Sequence, residues 1–218
     1  SGRRVSRVAV YYPLETAFAN SEILFTNQPH RDLVWDNLMD HTQNIYTALQ
    51  LELEARRIET HVLDRQYVAQ AEVSGKHLRL KGQEFDVLLL PPMTHIDEPA
   101  AARIREFAAA GGQVLATGAL PASLRNAAGV RSFNVPVRPR FMDRLDYMNP
   151  TVVPPEIRAD LAPVMDVVSA AIPTQPRIVE GESPAVRWSH RRSPDGLEWY
   201  WIINDSTEAR SIRLRMPR

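Results

Sequence analysis

The chain has 218 residues, with 26 Lys and Arg against 26 Asp and Glu, so the formal net charge is zero. That balance gives no global pull toward nucleic acid or an anionic membrane surface. Cysteine is absent, which excludes disulfides, thiolate metal sites and cysteine nucleophiles together. No apolar run approaches the ~18 residues of a membrane span, and no signal-peptide apolar region precedes the first strand pattern.

Arg7-Val-Ala-Val-Tyr-Tyr-Pro13 is a short apolar run ended by proline, as expected of a buried first strand. The polar stretch from Leu14 to His30 reads as a long loop, of the kind that is usually functional or interface-forming. Asp32 is placed to cap a helix, with Asp36 in its first turn. Leu38, Thr42, Ile45, Leu49 and Leu53 then recur at helical spacing, to about Arg57. Ile58–Asp64 reads as the second strand, and a strand-helix-strand unit of this length implies a right-handed parallel crossover.

Gln66–Ala71 suits a short helix, and Val73–Gly82 a small hairpin turning at Ser74-Gly75. Phe85-Asp-Val-Leu-Leu-Leu-Pro-Pro92 is the strongest strand signal, its continuous apolar run being that of a strand covered on both faces. Glu98-Pro99 opens a helix that Gly111-Gly112 closes, and Gln113–Gly118 is the next strand. The order over residues 5–118 predicts a doubly wound, flavodoxin or class I amidotransferase-like parallel sheet, in an α/β domain extending to residue 172.

Prolines crowd between Pro136 and Pro184, around one helix predicted over Pro155–Ala171 with Pro163 as a kink. Residues 176–218 read as a small antiparallel β segment. Ala185–Arg191 and Leu197–Asn204 flank the turn signal Asp195-Gly196, and Ala209–Met216 follows as a third strand. These strands look like the start or a fragment of a β-sandwich, or like strands docked on the α/β domain.

The usual chemical motifs are missing. Pro13-Leu-Glu-Thr16 stands where a Gly-x-Gly-x-x-Gly loop would follow the first strand, and there is no Walker pattern, so no cofactor is expected. Thr117-Gly118-Ala119 supplies alanine where a nucleophile elbow would place serine or cysteine. The six histidines show no ligand spacing, so no metal is expected.

Open α/β sheets bind ligands beyond the carboxyl ends of their strands. Tyr12, Glu15, His95 and Thr117 fall there and are the candidate crevice residues. His95, Glu15 and Thr117 also have plain structural readings: a loop histidine bonding backbone, a solvated glutamate, a strand-end threonine. Trp199 and Trp201 share one face of their strand and are candidates for stacking on a sugar, with core packing as the alternative. Arg213 and Arg215 share a face of the last strand, as a solvated edge would.

The run Val8–Pro13, the helix after Trp35-Asp36, and Gly75–Gly82 leading into Phe85–Pro92 resemble an accessory domain of large bacterial glycoside hydrolases, most closely the family 106 α-L-rhamnosidases. The segment Arg191–Ser206 is similar to the opening of their next β module. A broader likeness is to the amidotransferase-like domain that supports trimers in family 42 β-galactosidases. The resemblance implies a non-catalytic scaffold whose partners are a catalytic barrel domain or other subunits, with carbohydrate as a further partner; the sequence leaves the compartment open, with the bacterial cytoplasm slightly favoured. The catalytic carboxylates of such enzymes belong to a barrel of ~250 residues, for which this chain has no room. No catalytic residue carries over. The alternatives are a free-standing module binding carbohydrate or a small ligand in the crevice, and a divergent flavodoxin-like enzyme.

Overall fold

A computed structural model describes residues 2–23, 33–35, 37–138, 141, 153–172, 176–183 and 185–216. The elements, in chain order, are β1 (Arg3–Arg4), β2 (Val8–Tyr11), α1 (Leu14–Asn20), β3 (Ser21–Ile23), β4 (Leu33–Trp35), α2 (Asn37–Ala55), β5 (Thr60–Leu63) and α3 (Arg65–Gln70). A meander follows, β6 (Glu72–Ser74), β7 (His77–Leu80) and β8 (Gln83–Phe85), then β9 (Val87–Leu90), α4 (Glu98–Ala109), β10 (Gln113–Ala116), α5 (Ala122–Arg125) and β11 (Val130–Ser132). The remainder comprises α6 (Pro155–Ala171), β12 (Arg177–Glu180), β13 (Val186–Arg192), β14 (Glu198–Asn204) and β15 (Arg213–Arg215).

Five strands form one all-parallel sheet in the order β11-β10-β9-β2-β5. Numbered among themselves these strands run 2-1-3-4-5, the flavodoxin-like order, with the switch point between β2 and β9. Side chains alternate between two cores, as the two-residue period of a strand requires. Ala9, Tyr11, Leu88, Leu90, Val114 and Ala116 pack with Ile104 and Phe107 of α4 on one face. Val8, Val10, Val87, Leu89 and Leu115 meet Ile45, Leu49 and Leu53 of α2 and Leu161, Met165 and Val168 of α6 on the other. Burial on both faces is why β2 and β9 read as unbroken apolar runs.

Several expectations are corrected. The start of the supposed loop Leu14–His30 is a helix, because Leu14, Glu15, Ala17 and Ala19 favour one and the Pro13 carbonyl accepts the Ala17 N–H at 3.1 Å. The helix expected after Asp32 begins at Asn37; Asp32 and Asp36 themselves lie outside the described residues. The small hairpin turns at Gly75-Lys76 rather than Ser74-Gly75, since Ser74 pairs with His77 and Gly75 takes a φ of 55°.

Of the three expected C-terminal strands, β13 and β14 form the hairpin around Asp195-Gly196, but β15 does not join them. β1 joins β13 and β14 in one antiparallel sheet, while β15 pairs with β12. Helix α6 spans Pro155–Ala171 and carries Pro163 inside it.

Two histidines couple stability to pH. His41 is 4% exposed with an unpartnered Nδ1, and its pKa is lowered by burial. His61 is lowered by burial and by Arg4. The unfolded chain therefore binds protons below about pH 6.5 that the folded chain refuses, and stability falls as pH drops through that value. Each histidine removes up to about 1.4 kcal/mol per pH unit. Urea unfolding at pH 7.5 and 5.5 should show this loss, and His41→Met should reduce it.

Candidate functional site

The carboxyl ends of β2 and β9 define the switch-point crevice. Tyr11 Oη donates to Glu15 Oε1 at 2.8 Å, and Glu15 is 8% exposed. Burial, reinforced by that carboxylate, pushes the Tyr11 phenol far above its ordinary pKa. Glu15 Oε2 is buried with no hydrogen-bond partner. Tyr12 belongs to the opposite face, where its ring lies 5.4 Å from that of Tyr46.

Helix α1 closes over the loop after β9. The Thr16 hydroxyl accepts from the backbone N–H groups of Thr94 and His95 and donates to the His95 carbonyl, each at 3.1 Å. Asn20 Nδ2 donates to the Thr16 carbonyl at 2.8 Å and to Thr94 Oγ1 at 3.0 Å. The His95 side chain is exposed, with Nδ1 2.8 Å from Thr94 Oγ1. Thr117 is fully buried and donates to the Leu90 carbonyl at 3.1 Å.

Glu15 on α1 and His95 in the loop after β9 thus belong to adjoining segments, while Tyr12 and Thr117 are not part of that group. Gly118, which follows β10, takes a φ of 139°, and a Cβ there would approach Pro92 Cγ to 3.0 Å. The position offers no nucleophile. Sequence reasoning passed over Tyr11, Thr16, Asn20 and Thr94. The signal was a Thr and an Asn one helical turn apart in a stretch that reads as a loop.

A cleft of about 960 Å³ lies at the other ends of the strands, between the start of the parallel sheet and the inward face of β13 and β14. On the sheet side Arg7 grips Asp86 through two bonds of 2.6 and 2.7 Å and reaches Glu84 at 2.9 Å. His77 Nδ1 lies 2.6 Å from Asp86 Oδ1. On the facing wall the His190 and Tyr200 rings stack at 4.2 Å, and His190 Nε2 is 3.2 Å from Glu198 Oε2. Burial raises the Tyr200 pKa, with help from Glu198. Burial works to raise Glu198 as well, but Arg192 and His190 outweigh it and hold the carboxyl below its usual range.

Each wall neutralises its own charge. The His77–Asp86 pair has the form of a base with its orienting carboxylate, yet no serine or threonine lines the cleft among the described residues.

The two halves are joined by Arg57. It ends α2 in a Schellman arrangement, Ile58 N–H bonding the Leu53 carbonyl and Arg57 N–H the Glu54 carbonyl, both at 2.8 Å. Its φ of 60° is one that glycine ordinarily supplies, at a cost of about 1 kcal/mol for a residue with a Cβ. The side chain offsets that cost. Nε donates to the Val186 carbonyl at 2.7 Å and Nη2 to the Ser183 carbonyl at 2.6 Å, while Nη1 meets Glu182 at 2.7 Å. The guanidinium also sits 5.5 Å from the centre of the Trp188 ring. Glu59 adds a second tie, accepting from Arg4 at 3.2 Å and from the His190 N–H at 3.1 Å.

Register places Trp199, Trp201 and Ile203 opposite Arg191, Ser189 and Arg187 on the outward face of the antiparallel sheet. Trp201 is 63% exposed, Ile203 54% and Ile202 47%. β14 pairs with β13 alone, so among the described residues its other edge is open. Arg213 and Arg215 are exposed on β15.

Among the described residues no group of three or more His, Asp or Glu is arranged to hold a metal, and no helix is long and apolar enough to cross a membrane. Comparison with protein-family models finds no match, and comparison with curated proteins finds none either. The fold is that of a flavodoxin-like α/β sheet with an appended antiparallel layer.

Proposed function

We propose that this chain is a non-catalytic accessory domain of a carbohydrate-active enzyme, a glycoside hydrolase, serving in domain packing, in assembly of subunits, or at the edge of a sugar cleft. The observation that carries the scaffolding role is the exposure of Trp201 and Ile203 on the outward face of an open strand, with Ile202 exposed on its other face. A run of large apolar side chains in that position marks an interaction surface. The crevice supports the same reading, since Thr16, Asn20 and Thr94 spend their hydrogen bonds on one another and on the loop backbone. The glycosidase assignment draws on the likeness of Val8–Pro13, Phe85–Pro92 and Arg191–Ser206 to such domains.

The test has two arms. The full reading frame should carry a glycosidase-type barrel, and the chain alone should leave a panel of aryl glycosides unhydrolysed. Turnover by the isolated chain, or a frame without such a barrel, would overturn the reading.

A second reading, ligand binding at the crevice, is favoured by the buried, unpartnered Oε2 of Glu15, whose neighbour Thr16 bonds the backbone of the exposed His95. Isothermal titration against mono- and oligosaccharides separates the two. Heat that disappears in Glu15→Ala would place a ligand in the crevice, and heat that disappears in Trp201→Ala would place it on β14. Flat titrations would remove the second reading.

A further inference from the structure

Natural sheets protect an exposed edge with proline, lysine, a bulge or a covering segment. β14 has none of the first three. Its sequence is Glu-Trp-Tyr-Trp-Ile-Ile-Asn, and it pairs with β13 over all seven residues without a register shift. Its one charged residue, Glu198, stands at its end. The same strand carries three of the most exposed apolar side chains described.

We infer that two copies of this chain pair edge to edge, β14 against β14 and antiparallel, joining two three-stranded sheets into one of six strands. This goes beyond the scaffolding reading and does not rest on it. The strand is complementary to itself. Side chains that lie opposite each other across an antiparallel pair must share a face, so the two residue numbers of every opposed pair sum to an even number. Of the registers allowed, the one centred on Trp201 uses the whole strand. It sets Trp201 against Trp201 of the second copy, Trp199 against Ile203, Tyr200 against Ile202, and Glu198 against Asn204.

Aromatic and aliphatic partners therefore meet directly, and no two like charges are opposed. A single pair of seven-residue strands is expected to bury less than the ~1,200 Å² of a stable interface, so the pairing is reversible.

Sedimentation equilibrium over about 1–200 µM reads the association, and should show monomer and dimer with no larger species. Trp201→Lys places two like charges face to face at an exposed site, and should raise Kd at least tenfold while leaving the melting temperature unchanged. Because the chain has no cysteine, single substitutions report the register. Position 201 lies opposite its own copy at ~4.5–5.5 Å between Cα atoms, within disulfide reach. Copies of position 199 lie about 13 Å apart along the strands. Under mild oxidation Trp201→Cys should cross-link into dimers and Trp199→Cys should not. A monomer throughout the range, association unaffected by Trp201→Lys, or equal cross-linking at both positions would overturn the inference.

Discussion

Replacing Arg57 with alanine should cost about 2–5 kcal/mol and loosen the antiparallel sheet before the parallel one. The estimate rests on the loss of two charge-assisted bonds of about 1.5–3 kcal/mol each, to the carbonyls of Ser183 and Val186, of which the Ser183 carbonyl keeps the Val186 N–H at 3.1 Å. The ion pair with Glu182 adds little, because that carboxylate is 67% exposed. Urea unfolding gives the total, and amide exchange over residues 186–204 gives the location. Arg57→Gly separates the two roles of the residue. It relieves the backbone at φ 60° and should recover about 1 kcal/mol relative to alanine, yet still free the sheet. Equal amide protection in Arg57→Ala and the parent would refute the clip.

Tyr11→Phe should be the next most damaging change considered, at about 2–4 kcal/mol. It deletes the hydroxyl that donates to Glu15, leaving a carboxyl group that is 8% exposed with neither oxygen bonded. The double variant Tyr11→Phe with Glu15→Leu should be much closer to the parent, because removing both partners of a buried pair leaves nothing unsatisfied. Denaturant midpoints of the four proteins form a cycle whose coupling term measures the pair. A single-variant cost below about 1 kcal/mol would mean that the phenol is not what holds Glu15 in place.

The architecture was legible wherever burial was two-sided or helical periodicity was long. Val87–Leu90 is buried throughout, and the Ile45, Leu49 and Leu53 stripe reaches the core as its spacing implies. β11 escaped notice because Val130–Ser132 is three residues long, with Arg131 and Ser132 exposed, so no period develops. The pairing of β1 with β13 was beyond local reading, since two arginines at positions 3 and 4 carry no strand signal of their own. Arg57 was hidden for a different reason. A left-handed cap is advertised by glycine, and here the arginine's long-range bonds justify a conformation its own sequence neighbourhood disfavours. At the crevice, Glu15 and His95 could be chosen because strand ends are visible in sequence. That Tyr11, not Tyr12, faces Glu15 depended on which side of the sheet each residue takes.

The pairing of Arg3 with Arg192 and of Arg4 with Arg191 also sets a timetable for folding. The parallel sheet closes over crossovers of moderate length, while β1 must wait for a strand nearly the whole chain away. Contacts at that separation form late, because the entropy of closing the loop is lost before the pairing compensates for it. Refolding should therefore show the α/β core acquiring protection first and β1, β13 and β14 docking in a slower phase, during which the tryptophan-bearing hairpin is exposed on both edges.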